Sequence, residues 1–132
     1  MARRDINVHP IHLGLGATAR VEPEFTGEMA WYMDYGNRHA EDGIEARLVT
    51  MHSFDASWEM WEMHPRGAEV VLCTAGSITL HQEMPDGSVA TVRLGPGQYA
   101  INEPGTWHTA DIEQQATALF ITAGMDTQHR PR

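Results

Sequence analysis

Residues 69–102, EVVLCTAGSITLHQEMPDGSVATVRLGPGQYAIN, decide the fold. An apolar, β-branched run from Glu69 to Ala75 stops at Gly76. A second run, Ser77 to Gln82, meets Pro85-Asp86-Gly87, which has the composition of a hairpin turn. Ser88 to Leu94 returns, Gly95-Pro96-Gly97 turns again, and Gln98 to Asn102 forms the next run. The same rhythm continues outward. Upstream, Ile44 to Phe54 alternates, with Ala46, Leu48, Thr50, His52 and Phe54 on one face, and Trp58 to His64 is followed by the turn Pro65-Arg66-Gly67. Downstream, Pro104-Gly105 precedes Trp107 to Asp111 and then Ala116 to Ala123. About eight short strands with closely spaced turn signals, and no helical stripe between 44 and 123, predict an all-β antiparallel sandwich, a double-sheet jelly-roll barrel.

The flanks are less regular. Residues 1–27 read as an irregular arm broken by Pro10, Gly14, Gly16, Pro23 and Gly27. Residues 28–43 hold Trp31, Tyr32, Met33 and Tyr35 and then a polar stretch, read as a short strand and a loop. No low-complexity linker separates arm from barrel, so 1–43 belongs to the same domain as the barrel at 44–123. Residues 124–132 read as a polar, solvated tail without a function.

At 132 residues the chain has the size of one domain, and 42% hydrophobic with 20% charged residues is a globular composition. Acidic residues number 18 against 9 basic ones, all of them arginine, for a net charge of -9. That charge argues against nucleic acid and anionic membranes as partners. No apolar run approaches the ~20 residues of a membrane span. The start, Met1-Ala2-Arg3-Arg4-Asp5, lacks a signal-peptide core, and the single Cys73 excludes an internal disulfide framework. The expectation is a cytoplasmic protein.

Four residues stand out by spacing: Glu62, His64, Glu69 and His108. Glu62 and His64 lie two apart on a strand and share one face with Trp58 and Met60. The other face, Glu59, Trp61 and Met63, is nearly as apolar, so alternation alone leaves the inward face open. The 65–67 turn, read as a hairpin, brings Glu69 back beside His64. Two histidines and two carboxylates from separate strands suit a divalent cation, and a glutamate buried among apolar residues needs such a partner.

The stretch from Trp61 to Glu69, with Gly76 seven residues on, resembles the first motif of the cupin superfamily, G-x5-H-x-H-x(3,4)-E-x6-G. Gly97 to His108 resembles the second, G-x5-P-x-G-x2-H-x3-N. The likeness runs from 44 to 123, about 60% of the chain. It implies a six- to eight-stranded barrel around a metal, with His64, Glu69 and His108 at ligand positions. The sequence departs from the pattern at Glu62, which stands where the first histidine belongs, at Ala56-Ser57, where a glycine is absent, and near Asp111, where asparagine is expected. Two roles for Glu62 stay open. As a ligand it gives a two-histidine, two-carboxylate shell that neutralises a divalent ion. Standing off, it is a catalytic general base beside a two-histidine, one-carboxylate centre.

The cofactor expected is therefore a divalent ion, Fe, Mn, Zn or Ni. His52, Met60, Cys73, Tyr99, Ile101, Trp107 and Phe120 are read as pocket walls, with ordinary core packing as the competing reading for each. The resemblance implies a small metalloenzyme of dioxygenase, isomerase or lyase type acting on a small organic acid or carbonyl compound; a non-catalytic binding or sensing module is the alternative. It also implies a homodimer, to which the aromatic stretch at 31–35 is suited.

Overall fold

The computed structural model describes residues 2–132. Two antiparallel sheets enclose the core. The six-stranded sheet has the order β2-β1-β3-β10-β5-β8 and the five-stranded sheet β11-β4-β9-β6-β7. The strands are β1 (Ile11–Gly14), β2 (Thr18–Val21), β3 (Arg47–Phe54), β4 (Met60–Met63), β5 (Glu69–Gly76), β6 (Ile78–Glu83), β7 (Val89–Leu94), β8 (Tyr99–Asn102), β9 (His108–Asp111), β10 (Ala116–Thr122) and β11 (Gln128–Pro131). One helix, α1 (Met29–Arg38), interrupts them. The all-β jelly-roll expectation holds. No helix among the described residues is long and apolar enough to cross a membrane.

Strand alternation decides what lies inside. On β5 the buried set is Glu69, Val71 and Cys73, and on β6 it is Ile78 and Leu80. Val71, Cys73, Ile78 and Leu80 join Leu94, Ala110, Ile112, Ala116, Ala118 and Phe120 in one cluster between the sheets. Glu69 is thus in phase with the core, the least favourable place for a lone carboxylate.

Three parts of the chain differ from expectation. The arm is not irregular throughout: β1 pairs with β2 and with β3, extending the six-stranded sheet. Residues 28–43 form α1 and most of a 3-10 turn over 40–45, which also takes Ile44 and Glu45 out of the expected strand. The reason is aromatic packing at helical spacing. Trp31 and Tyr35 stack with centroids 5.9 Å apart, and Phe25 of the arm sits edge-on to Trp31 at 5.0 Å. Tyr35 Oη donates to His12 Nδ1 (2.7 Å), and His12 Nε2 donates to Asp42 (2.6 Å), holding the Asp42 carboxyl below its usual range. The aromatic stretch is therefore used within the chain, pinning α1 to β1. Third, the polar tail forms β11 and pairs with β4, placing His129 opposite Glu62. Arg130 drives this docking: its guanidinium lies 4.5 Å from Trp107 and 5.3 Å from Trp61 and pairs with Glu83.

Candidate metal centre

Glu62 lies on β4 and pairs directly with His108, the first residue of β9. His64 follows β4, and its carbonyl accepts from Gly105 N–H (3.0 Å), so the Pro104-Gly105 turn packs against the end of β4. Glu69 opens β5. The expected β4–β5 hairpin does not form: the two strands belong to opposite sheets, so Glu69 meets His64 across the sandwich. One ligand atom from each of Glu62, His64, Glu69 and His108 lies within 4.8 Å of the others. His64 Nε2 is 3.1 Å from Glu62 Oε1 and 3.1 Å from Glu69 Oε2, and His108 Nε2 is 3.2 Å from Glu69 Oε1. Of the four, only Glu62 has substantial exposure, 30% of its side chain, so the cluster opens on that side.

The outer hydrogen bonds set the state of each ring. His108 Nδ1 is 3.0 Å from the Thr106 carbonyl, so that nitrogen carries the proton and Nε2 keeps its lone pair. Thr127 Oγ1 donates to the Gly124 carbonyl (2.8 Å) and therefore accepts from His64 Nδ1 (2.7 Å), which frees His64 Nε2 likewise. Both Nε2 atoms are buried without a hydrogen-bond partner, although carboxylate oxygens lie 3.1–3.2 Å away. Glu69 is oriented by Asn102 Nδ2 on Oε1 (3.0 Å) and Thr122 Oγ1 on Oε2 (2.7 Å). Two buried, partnerless Nε2 atoms beside two carboxylates fit a divalent cation, which would replace any proton on them.

Thr127 is a residue sequence reading missed, because it lies in the apparent tail. Thr127→Val is expected to weaken metal binding about ten- to hundredfold with the fold intact, as read by competition with a chromogenic chelator.

Without metal, charge dominates. Burial pulls the His64 pKa down, but Glu62 and Glu69 outweigh it and raise it from 6.5 to about 9. Burial would raise Glu69, but contacts with His108 and His64 hold it far below 4.5. Protonated His64 thus stabilises the fold fully below pH 6.5 and loses that effect as pH rises through about 9. The Glu69 contribution is present above pH 4.5 and lost as pH falls. Chelator-treated protein is expected to be most stable between about pH 4.5 and 6.5, with a falling Tm towards pH 9. Metal reverses that upper limb, because it takes the place of the His64 proton. Thermal scans at both ends, with and without metal, check this.

The expected pocket walls divide. Phe120 lies between the sheets with its ring 5.6 Å from His52, which also meets Phe25 at 5.3 Å. Burial lowers the His52 pKa, against the opposing charges of Glu62 and Glu69, so this ring is neutral at pH 7. Cys73 is core, its thiol pushed up by burial. Tyr99 and Ile101 are exposed, because β8 turns Ala100 and Asn102 inward. Trp107 lies under Arg130, on the face opposite His108, and Met60 is 39% exposed. Trp58, which alternation puts on the Glu62 face, reaches the interior, with its ring 6.4 Å from His108.

No family model and no curated protein matches the sequence. Solved structures share the fold. Oxalate oxidase in complex with glycolate superposes with a TM-score of 0.55 at 11% identity, covering 62% of this chain and 45% of that one. Hydroquinone 1,2-dioxygenase in complex with Cd2+ and 4-hydroxybenzonitrile gives 0.50 at 14% identity, covering 58% and 56%. A cupin superfamily protein from Desulfitobacterium hafniense gives 0.49 at 16% identity, covering 58% and 65%. The chain spans about half the length of the first two. At such identities it is the fold alone that is shared with the first two, the double-sheet barrel expected from the sequence motifs.

Proposed function

We propose that the chain is a metal-dependent protein that binds a small organic acid or carbonyl compound at Glu62, His64, Glu69 and His108, and that it acts on it as an enzyme. The observation that carries this reading is the pair of buried, partnerless Nε2 atoms facing two carboxylates. His64, Glu69 and His108 hold the ion, and Glu62, on the open side, completes its shell. The ion supplies Lewis-acid polarisation of a bound oxygen. The protein supplies the rest. Glu69 and Glu62 cancel a divalent charge, which tempers that polarisation. Neutral His52, walled by Phe25 and Phe120, is a proton acceptor close to the cluster.

The test is metal analysis of purified protein after supplementation with Fe, Mn, Ni or Zn. One equivalent in the wild type, much less in His64→Ala and reduced affinity in Glu62→Gln are expected. Absence of metal under all four conditions overturns the reading. With the preferred ion identified, turnover of small 2-oxo and 2-hydroxy acids separates an enzyme from a binding module.

A further inference from the structure

Three buried side-chain nitrogens have no hydrogen-bond partner among the described residues: His64 Nε2, His108 Nε2 and the indole Nε1 of Trp58. A cation accounts for the first two. It cannot account for the third, because an indole N–H is a donor only. Leaving such a donor dry and unpaired is costly. The same chain does pair another one: Trp31 Nε1 donates to the Glu24 carbonyl at 3.0 Å.

The position of Trp58 shows what the donor serves. Its backbone N–H is bonded to the Ala110 carbonyl at 3.0 Å, which fixes it beside β9, the central strand of the five-stranded sheet. Its ring reaches between the sheets, 5.7 Å from Phe54 and 6.1 Å from Phe120. It also packs against His108, with centroids 6.4 Å apart and planes inclined at 64°. The unpaired donor therefore belongs to the ring that adjoins a metal-holding histidine, in an apolar surround where a hydrogen bond is strong.

We propose that Trp58 Nε1–H is the positioning donor for a small ligand bound at the ion, and that this ligand presents an oxygen or nitrogen lone pair there. The assignment rests on the metal centre proposed above. Charge supports a ligand that is at most singly anionic. Glu62 and Glu69 already neutralise a divalent ion, and the neighbouring arginines are engaged: Arg66 on Asp126, Arg130 on Trp107 and Glu83, and Arg132 on Asp111 and the Trp58 and Ala110 carbonyls. A neutral N–H stabilises one developing or resident negative charge without a counter-ion. A small carboxylate, an enolate or an azide ion fits; a second charged end would go unpaired.

Azide is the probe. Protein loaded with cobalt(II) is titrated with sodium azide and followed by visible absorption, as wild type and as Trp58→Phe, which keeps a flat ring and removes the donor. Equal cobalt stoichiometry and roughly tenfold weaker azide binding in the variant are expected. Affinities equal within about twofold, or cobalt uptake with no azide binding, overturn the assignment to Trp58 while leaving the metal centre standing. A wild type that takes up no cobalt overturns the metal centre, and the assignment with it. A second measurement needs no variant. In zinc-loaded wild type with 15N-labelled indoles, azide is expected to move one buried indole proton downfield and leave that of Trp31 in place. Saturating azide with every indole proton unmoved overturns the proposal.

Discussion

Glu69→Gln is expected to lower metal affinity by about a hundredfold or more, the largest loss among single changes at the cluster. Glu69 is 3% exposed, and both its oxygens are already committed. Oε1 accepts from Asn102 and lies 3.2 Å from His108 Nε2; Oε2 accepts from Thr122 and lies 3.1 Å from His64 Nε2. An amide of the same shape must turn its NH2 either towards the Asn102 amide, setting donor against donor, or towards Thr122, whose hydroxyl must then accept; in either case one oxygen facing the histidines is replaced by NH2. It also removes the charge that offsets the ion. In the metal-free protein the same change leaves protonated His64 with Glu62 as its remaining carboxylate, so the His64 pKa falls from about 9 and the alkaline loss of stability flattens. Calorimetric titration of metal and NMR titration of the His64 ring read the two effects separately. Unchanged metal affinity would make Glu69 a structural group only.

Gly76→Ala is expected to destabilise the fold by about 2–5 kcal/mol, the largest stability effect of a one-carbon addition outside the site. Gly76 closes β5, where the chain leaves one sheet for the other, with φ at 69°. A Cβ there would stand 2.1 Å from the Gln115 carbonyl oxygen and 2.9 Å from its carbon, both backbone atoms that no rotamer can move. Two costs combine: left-handed backbone and a collision that shifts the start of β10. Gly87→Ala isolates the first cost, since its φ is 85° and nothing lies within 4 Å of the added carbon. About 1–2 kcal/mol is expected there. Urea unfolding of the two variants gives the difference.

The strands from 47 to 122 were legible because their ends carry turn chemistry, as at Pro85-Asp86-Gly87, and their interiors alternate. The four cluster residues were legible because two histidines and two glutamates recur at a spacing that strands can gather. What was hidden depended on tertiary partners. Trp31 and Tyr35 at i, i+4 were the one helical sign in a stretch whose other apolar residues, Tyr32 and Met33, are exposed. β11 reads as polar because its adhesion comes from Arg130 lying on tryptophans of β4 and of the segment before β9, a contact no local pattern reveals. For β8, the pairing of Asn102 with Glu69 fixes which residues turn inward, so Tyr99 and Ile101 went to the wrong face in a strand too short to declare its phase.

β11 also sets a timetable. The hydrogen bond that fixes the His64 ring reaches Thr127, 63 residues further along the chain. Contacts between β5, β6, β7 and β8 close far shorter loops, and loop-closure entropy favours them first. The His64 ring is therefore not held in place until the C-terminal segment carrying Thr127 has docked. Full metal affinity in a refolding chain is therefore expected only once these long-range contacts have formed, so metal uptake reports on a late, non-local step.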